Sequence, residues 1–231
     1  MYENMKTKNA QVVTQEAERP EDELQKRLKE EREKDTLKLQ RLAGSNNSRR
    51  LTNARDITEI RPYLLLCGAL ALRGNVLEDL NVTCVVNATN ELPDTPLPSD
   101  IFYLRVSVDD KSDCDILSWL DTVADLIHQV KLASGKTLIH CVAGISRSAT
   151  LCLGYLIKYE GYTLFDSYNM LKQLRNIRPN SGFFGQLVEF EKRTTGKQTV
   201  LMIKSNYASD FIPHLYEDDY FKFYRYKCMR L

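Results

Sequence analysis

This chain has no apolar run of membrane-spanning length and no pattern of a secretory leader. Histidine is scarce, with only His128, His140 and His214, and these lie far apart. With no Cys-x-x-Cys pair and no acidic cluster beside them, there is no case for a metal site or a bound cofactor. The six cysteines show no paired spacing, so a disulfide-stapled secreted fold is not expected. Charge of one sign is also lacking: the formal net charge is +1, which predicts no broad affinity for nucleic acid or membrane surfaces. These absences point to a cytoplasmic, and also nuclear, protein that works with its own side chains.

Three segments follow from composition. Residues 1–53 are polar and densely charged between Pro20 and Ala43. Pairs such as Asp22/Lys26, Glu23/Arg27 and Glu30/Lys34 favour a solvated helix, and Gly44 to Ser48 reads as a linker. Residues 54–196 alternate short β-branched runs with longer apolar-periodic ones. Strands are expected near Ile57–Ile60, Tyr63–Cys67, Thr83–Asn87, Phe102–Arg105 and Thr137–His140. Helices are expected near Ala71–Leu80, Ile116–Leu132, Ser148–Tyr159, Leu164–Arg175 and Phe183–Thr194. That alternation predicts an α/β fold, a central, largely parallel sheet flanked by helices, with a polar N-terminal helical extension. Residues 197–231 form a tail rich in tyrosine and phenylalanine, expected to pack partly on the domain.

The chemistry concentrates in His140-Cys141-Val142-Ala143-Gly144-Ile145-Ser146-Arg147-Ser148. A chain of this length would hold such a combination by chance in roughly 3 cases in 100,000, so the run is read as functional. A buried strand precedes it and a helix that is apolar nearly all round follows it. A loop at a helix N-terminus offers unpaired N–H groups and partial positive charge. Gly144 lets the backbone turn closely about a tetrahedral anion, and Arg147 brings a planar fork that matches phosphate oxygens. The backbone of Val142, Ala143, Gly144, Ile145 and Ser146 would cradle that anion. The same field favours a thiolate at Cys141, since cysteines at helix N-termini commonly titrate at about 3.5–7.5 rather than about 8.5. Cys141 then becomes a nucleophile placed for in-line attack, with Ser148 able to hydrogen-bond its sulfur. Cys67, Cys84 and Cys152 lie in apolar runs and read as core hydrophobes.

The run resembles the H-C-x-x-G-x-x-R-[ST] signature of cysteine-dependent protein tyrosine phosphatases, and more narrowly a small, atypical dual-specificity phosphatase. Val86-Asn87-Ala88-Thr89, Asp121 to Asp125, and Ile177-Arg178-Pro179-Asn180-Ser181-Gly182-Phe183 extend the likeness from about Ile57 to Glu217. The resemblance implies catalysis by Cys141, Arg147 and Ser148, with His140 ordering the loop rather than acting as a base. It also implies a general acid among Asp109, Asp110, Asp113 and Asp115, and the family's spacing selects Asp110. Asp115 has the position of a helix N-cap.

Substrate class follows from what the loop carries. Phosphoinositide phosphatases of this superfamily hold lysines inside the loop, where this chain has Val142, Ala143, Ile145 and Ser146. The resemblance therefore implies hydrolysis of protein-borne phosphotyrosine, phosphoserine and phosphothreonine, with mitogen-activated kinases a family-level substrate. Two further readings stay open: a non-protein phosphate ester of lipid, RNA or glycan, and a non-catalytic phosphoprotein-binding module.

Overall fold

The structure is a computed structural model that describes residues 56–94 and 97–228. The expected charged helix and linker of residues 1–53 lie outside the described residues. The chain divides into two units, and every described residue belongs to the second, Ser45–Leu231.

Five strands form the main sheet. Strand β1 (Thr58–Arg61) pairs antiparallel with β2 (Leu64–Gly68), and a short helix α1 (Val76–Asp79) leads to β3 (Cys84–Asn87) and β4 (Phe102–Arg105). Helix α2 (Leu117–Leu132) precedes β5 (Thr137–Cys141), which runs into α3 (Arg147–Glu160). The sheet order is β1-β2-β5-β3-β4, and every pairing except β1 with β2 is parallel. Strand β5 therefore sits in the middle, with Ile139 opposite Leu66 on one side and Val86 on the other.

Every residue of β2, β3 and β5 is buried. Covering on both faces explains why these strands read as continuous apolar runs rather than alternating ones. One face packs Leu65, Cys67, Val85 and Leu138 against Leu77 and Val82. On the other side α3 packs on β2 and β5 and between neighbouring helices, so nearly all of its residues are buried. Helix α4 (Leu164–Leu174) starts at Thr163, whose hydroxyl accepts from Asp166 N at 3.0 Å while donating to the Asp166 carboxylate at 2.7 Å. Helix α5 (Ser181–Thr195) is capped by Asn180, which accepts from Phe183 N at 2.9 Å.

One region differs from the sequence expectation, and a second holds elements that the sequence reading did not assign. Instead of a helix over Ala71–Leu80 there is a 3₁₀ turn at Ala69–Ala71 and the four-residue α1. The chain breaks between them at Gly74, which stands at φ +61°. The tail, expected to pack partly on the domain and given no elements from the sequence, forms a hairpin, β6 (Met202–Lys204) with β7 (Phe211–Pro213), followed by α6 (Glu217–Cys228). Strands of three residues are too short to show a period in the sequence. Ile212, Pro213 and Tyr216 of this tail are buried. Glu191 ties the tail to α4: its fully buried carboxylate accepts from Leu164 N and Thr199 N, at 2.7 Å and 2.8 Å.

Candidate active site

Strand β5 ends at Cys141, so the sulfur emerges at the carboxyl edge of the central strand, where open α/β sheets place ligands. Its residue is only 2 % exposed. The sulfur accepts two hydrogen bonds, from Gly144 N at 3.2 Å and from the Ser148 hydroxyl at 3.1 Å. Ser148 lies in the first turn of α3, so the N-terminus of a buried helix faces the thiol.

The loop between them has its carbonyls tied outward. Val142 O accepts from Ala69 N at 3.1 Å, and Ile145 O accepts from Arg178 N at 2.9 Å. Ala143 O and Gly144 O accept from Nη2 and Nε of Arg175 at 3.0 Å and 2.7 Å. Ser146 O accepts from the amide and the hydroxyl of Thr150, both at 2.9 Å. In a planar trans peptide the next N–H points opposite the carbonyl. The amides from Ala143 to Arg147 are therefore turned to the concave side, and Gly144 N meets the sulfur there. Among these inward amides, those of Ala143, Ile145 and Ser146 have no acceptor among the described residues. Such a ring of inward N–H groups binds a tetrahedral anion. Gly144 is required twice over: its φ is +69°, and a Cβ would come within 2.5 Å of the Cys67 carbonyl and 2.6 Å of Arg175 Nη2.

Arg147 is 4 % exposed and is oriented by Glu91. Its Nη1 and Nη2 donate to the two Glu91 carboxylate oxygens at 2.8 Å and 2.7 Å, and Nη1 also reaches Val108 O at 3.2 Å. The sequence reading gave the whole fork to phosphate; the structure instead gives its end to Glu91. Nε stays buried with no hydrogen-bond partner among the described residues, 3.9 Å from an Asp110 oxygen. Phosphate would meet Arg147 through that side. Hydrogen bonds from Arg147 hold the Glu91 carboxyl below its usual range. Arg105 steadies the loop that carries Glu91, donating to Thr89 O at 3.0 Å and Leu92 O at 2.9 Å.

Of the four aspartates, Asp110 is the one tied to the catalytic loop. Its Oδ1 accepts from the Ser146 hydroxyl at 2.6 Å and from Asn180 Nδ2 at 2.8 Å. Asn180 N donates in turn to the Ser146 oxygen at 3.1 Å. Gly182 makes room for this arrangement, because a Cβ there would strike the Ser112 backbone of the Asp110 loop. Asp109 instead bonds Asn90 and Lys111, at 2.6 Å and 3.0 Å. Asp115, read as the N-cap of α2, lies one residue before the observed N-cap Ile116; it accepts from Ser118 N at 3.1 Å, while Gln186 Oε1 accepts from the amides of Ile116 and Leu117 at 2.8 Å. Asp113 is exposed.

The His140 ring is buried against the backbone of Cys141, whose hydrogen bond to it is the one influence that raises its pKa, in keeping with a ring that supports the start of the loop. Burial pushes its imidazole down to about 4, so it is neutral at pH 7. In the strand, His140 O accepts from Ala88 N at 2.8 Å. His128 is half-buried and stacks on Tyr159 with centroids 4.0 Å apart. Cys67, Cys84 and Cys152 are buried in the core, and burial raises the Cys67 and Cys84 thiols to about 12 and about 11. Sequence reasoning missed Arg175, Glu91 and Asn180, which hold the loop, the guanidinium and the aspartate. Among the described residues no group of three His, Cys, Asp or Glu side chains could hold a metal ion, and no helix is long and apolar enough to cross a membrane.

Residues 64–193 match the model of the dual specificity phosphatase catalytic domain, more than half of the chain. The chain belongs to the dual-specificity phosphatase family. Human dual specificity protein phosphatase 14 is 42% identical over 153 residues, covering 66% of this chain and 76% of that protein. Human dual specificity protein phosphatase 18 is 39% identical over 165 residues, covering 71% and 86%. A crystal structure of human DUSP28 matches with a TM-score of 0.57 at 31% identity, over 59% of this chain and 93% of that one. In this dual-specificity phosphatase the matched region holds Cys141, Arg147, Asp110, Arg175 and Asn180.

Proposed function

We propose that the chain hydrolyses phosphotyrosine, phosphoserine and phosphothreonine in proteins through a cysteinyl-phosphate intermediate. The observation that carries this reading is the sulfur of Cys141, which accepts from Gly144 N and Ser148 Oγ at the focus of the inward amides. These donors, with Arg147 Nε, favour both a sulfur anion and the equatorial oxygens of a phosphoryl group.

In the first step the Cys141 sulfur attacks phosphorus and the P–O ester bond breaks. Asp110 gives its proton to the departing oxygen, which matters because a phenol has pKa about 10 and an alcohol is a worse leaving group still. The Asp110 carboxylate then takes a proton from water as that water attacks phosphorus. The S–P bond breaks, and the Ser148 hydroxyl stabilises the sulfur anion that leaves. Arg147 and the amides hold the phosphoryl oxygens through both steps. His140, neutral and buried, moves no proton in this sequence.

The loop supports singly phosphorylated substrates, since Val142, Ala143, Ile145 and Ser146 add no cation for a second phosphate. Mitogen-activated kinases remain the substrate class that the family suggests. Side-by-side turnover of phosphopeptides and of lipid, RNA and glycan phosphates tests the reading. Preference for phosphopeptides is expected, and a large preference for any of the other esters would overturn it.

A further inference from the structure

The segment Arg178-Pro179-Asn180 touches the catalytic machinery on one side and the C-terminal tail on the other. Toward the site, Arg178 N holds Ile145 O at 2.9 Å. Asn180 holds Ser146 Oγ through its amide at 3.1 Å and Asp110 Oδ1 through Nδ2 at 2.8 Å. Toward the tail, Pro179 O accepts from the Tyr216 hydroxyl at 2.9 Å. The Arg178 guanidinium donates to Asp219 at 2.9 Å and lies over the rings of Tyr216 and Tyr220, 4.4 Å and 5.0 Å from their centroids. Tyr216 is 2 % exposed and packs its ring on Tyr168 and Phe184. It lies beyond the residues that the family model matches, 64–193.

We propose that Tyr216 is a positioning residue for catalysis: by anchoring Pro179 it sets Asn180, and through Asn180 the place of the general acid Asp110. The inference rests on the assignment of Asp110 as that acid. Its physical basis is the linkage of three consecutive residues. A buried carbonyl deprived of its donor must seek another partner or reach water. Any shift of Pro179 is passed to its neighbour Asn180, whose side chain holds Asp110. A misplacement of about 1 Å at a reacting group can cost about 10²-fold in rate. The Arg178–Asp219 pair is more than one-third exposed on both sides and contributes less. Tyr216 therefore dominates the coupling, and Asp219 assists it. The tail is in this way a part of the active site's support, and a partner that lifted it would lower turnover without touching Cys141.

The test uses the full chain with Tyr216→Phe, which removes one oxygen and keeps the ring packing, and with the milder Asp219→Asn. Tyr216→Phe is expected to lower kcat for a phosphopeptide about 5- to 20-fold with KM changed less than about 2-fold. The deficit should shrink for an aryl phosphate with an acidic leaving group, because such a group needs little protonation. Asp219→Asn should show the same pattern, reduced to about 2-fold. In an Asp110→Asn background, Tyr216→Phe should add no further loss of kcat. Unchanged kcat in Tyr216→Phe beside a damaged Asp110→Asn would overturn the role of the tail and leave the acid intact. Full addition of the two losses would do the same. An Asp110→Asn enzyme with normal kcat would instead overturn the acid assignment on which the inference rests. A general loss of fold is read separately from thermal unfolding, and it would lower activity for both leaving groups alike.

Discussion

Glu91 and Arg147 meet end to end, with both terminal nitrogens of the guanidinium on both oxygens of the carboxylate at 2.8 Å and 2.7 Å. The consequence is that the phosphate-facing side of Arg147 is its Nε edge, and the direction of that edge is set by a residue outside the signature loop.

Glu91→Gln keeps a hydrogen-bonding partner but removes its charge. A charge-assisted bond is about twice as strong as a neutral one, so a loss of about 1.4 kcal/mol, or about tenfold in kcat/KM, is expected. Arg147→Lys loses the planar geometry as well and should cost about 10²-fold or more. Steady-state kinetics on one phosphopeptide rank the two variants. Equal effects would contradict the division of the guanidinium into a held end and a working edge.

Asp110→Ala should lower kcat about 10²–10⁴-fold for a phosphopeptide and less for an ester with an acidic leaving group. Asp113→Ala and Asp109→Ala should not show that dependence on the leaving group. If either shows it in place of Asp110→Ala, the general acid is misplaced.

Gly144→Ala should damage both stability and activity. The φ of +69° alone costs an L-residue about 1–2 kcal/mol, and the new Cβ meets the Cys67 carbonyl and Arg175. Urea unfolding should show at least that loss, and turnover should fall because Gly144 N and Gly144 O both help to hold the loop. Wild-type stability in this variant would contradict the close approach of loop and β2.

His140 gives a pH prediction with a definite sign. Burial depresses its folded pKa to about 4, against about 6.5 for an unperturbed histidine. The unfolded chain therefore binds more protons between those values, and stability contributed by neutral His140 is full above pH about 6.5. It is lost as pH falls toward about 4, by up to about 3 kcal/mol, and no more is lost below that. Urea unfolding at pH 7 and pH 4.5 measures the difference for wild type and for His140→Gln. The variant should lose less between the two pH values; an identical loss would remove His140 from the account.

The sequence revealed what its local chemistry carries. Strand β5, the loop and α3 were legible because a buried apolar run, a glycine and a cation occur within a dozen contiguous residues. Phe102–Arg105 was read with its observed bounds. The short α1 was overread because apolar spacing in Ala71–Leu80 looks helical while Gly74 breaks it. Arg175 left no trace, since it holds the loop through backbone carbonyls, which carry no sequence signal. Glu91 lies 56 residues from Arg147, and Asn180 lies 70 from Asp110, so only the folded chain brings each pair together. The tail hairpin was hidden by its brevity, and Tyr216 by the many aromatic residues around it.

The central claim is that the sulfur of Cys141 takes the phosphoryl group. Rapid quenching during turnover of a phosphopeptide, followed by mass analysis of the digested protein, tests it most directly. The account predicts one added phosphoryl group on the peptide that carries Cys141, and none in Cys141→Ser, which should still bind the phosphopeptide. Phosphoryl on another residue, or normal turnover by Cys141→Ser, would contradict it.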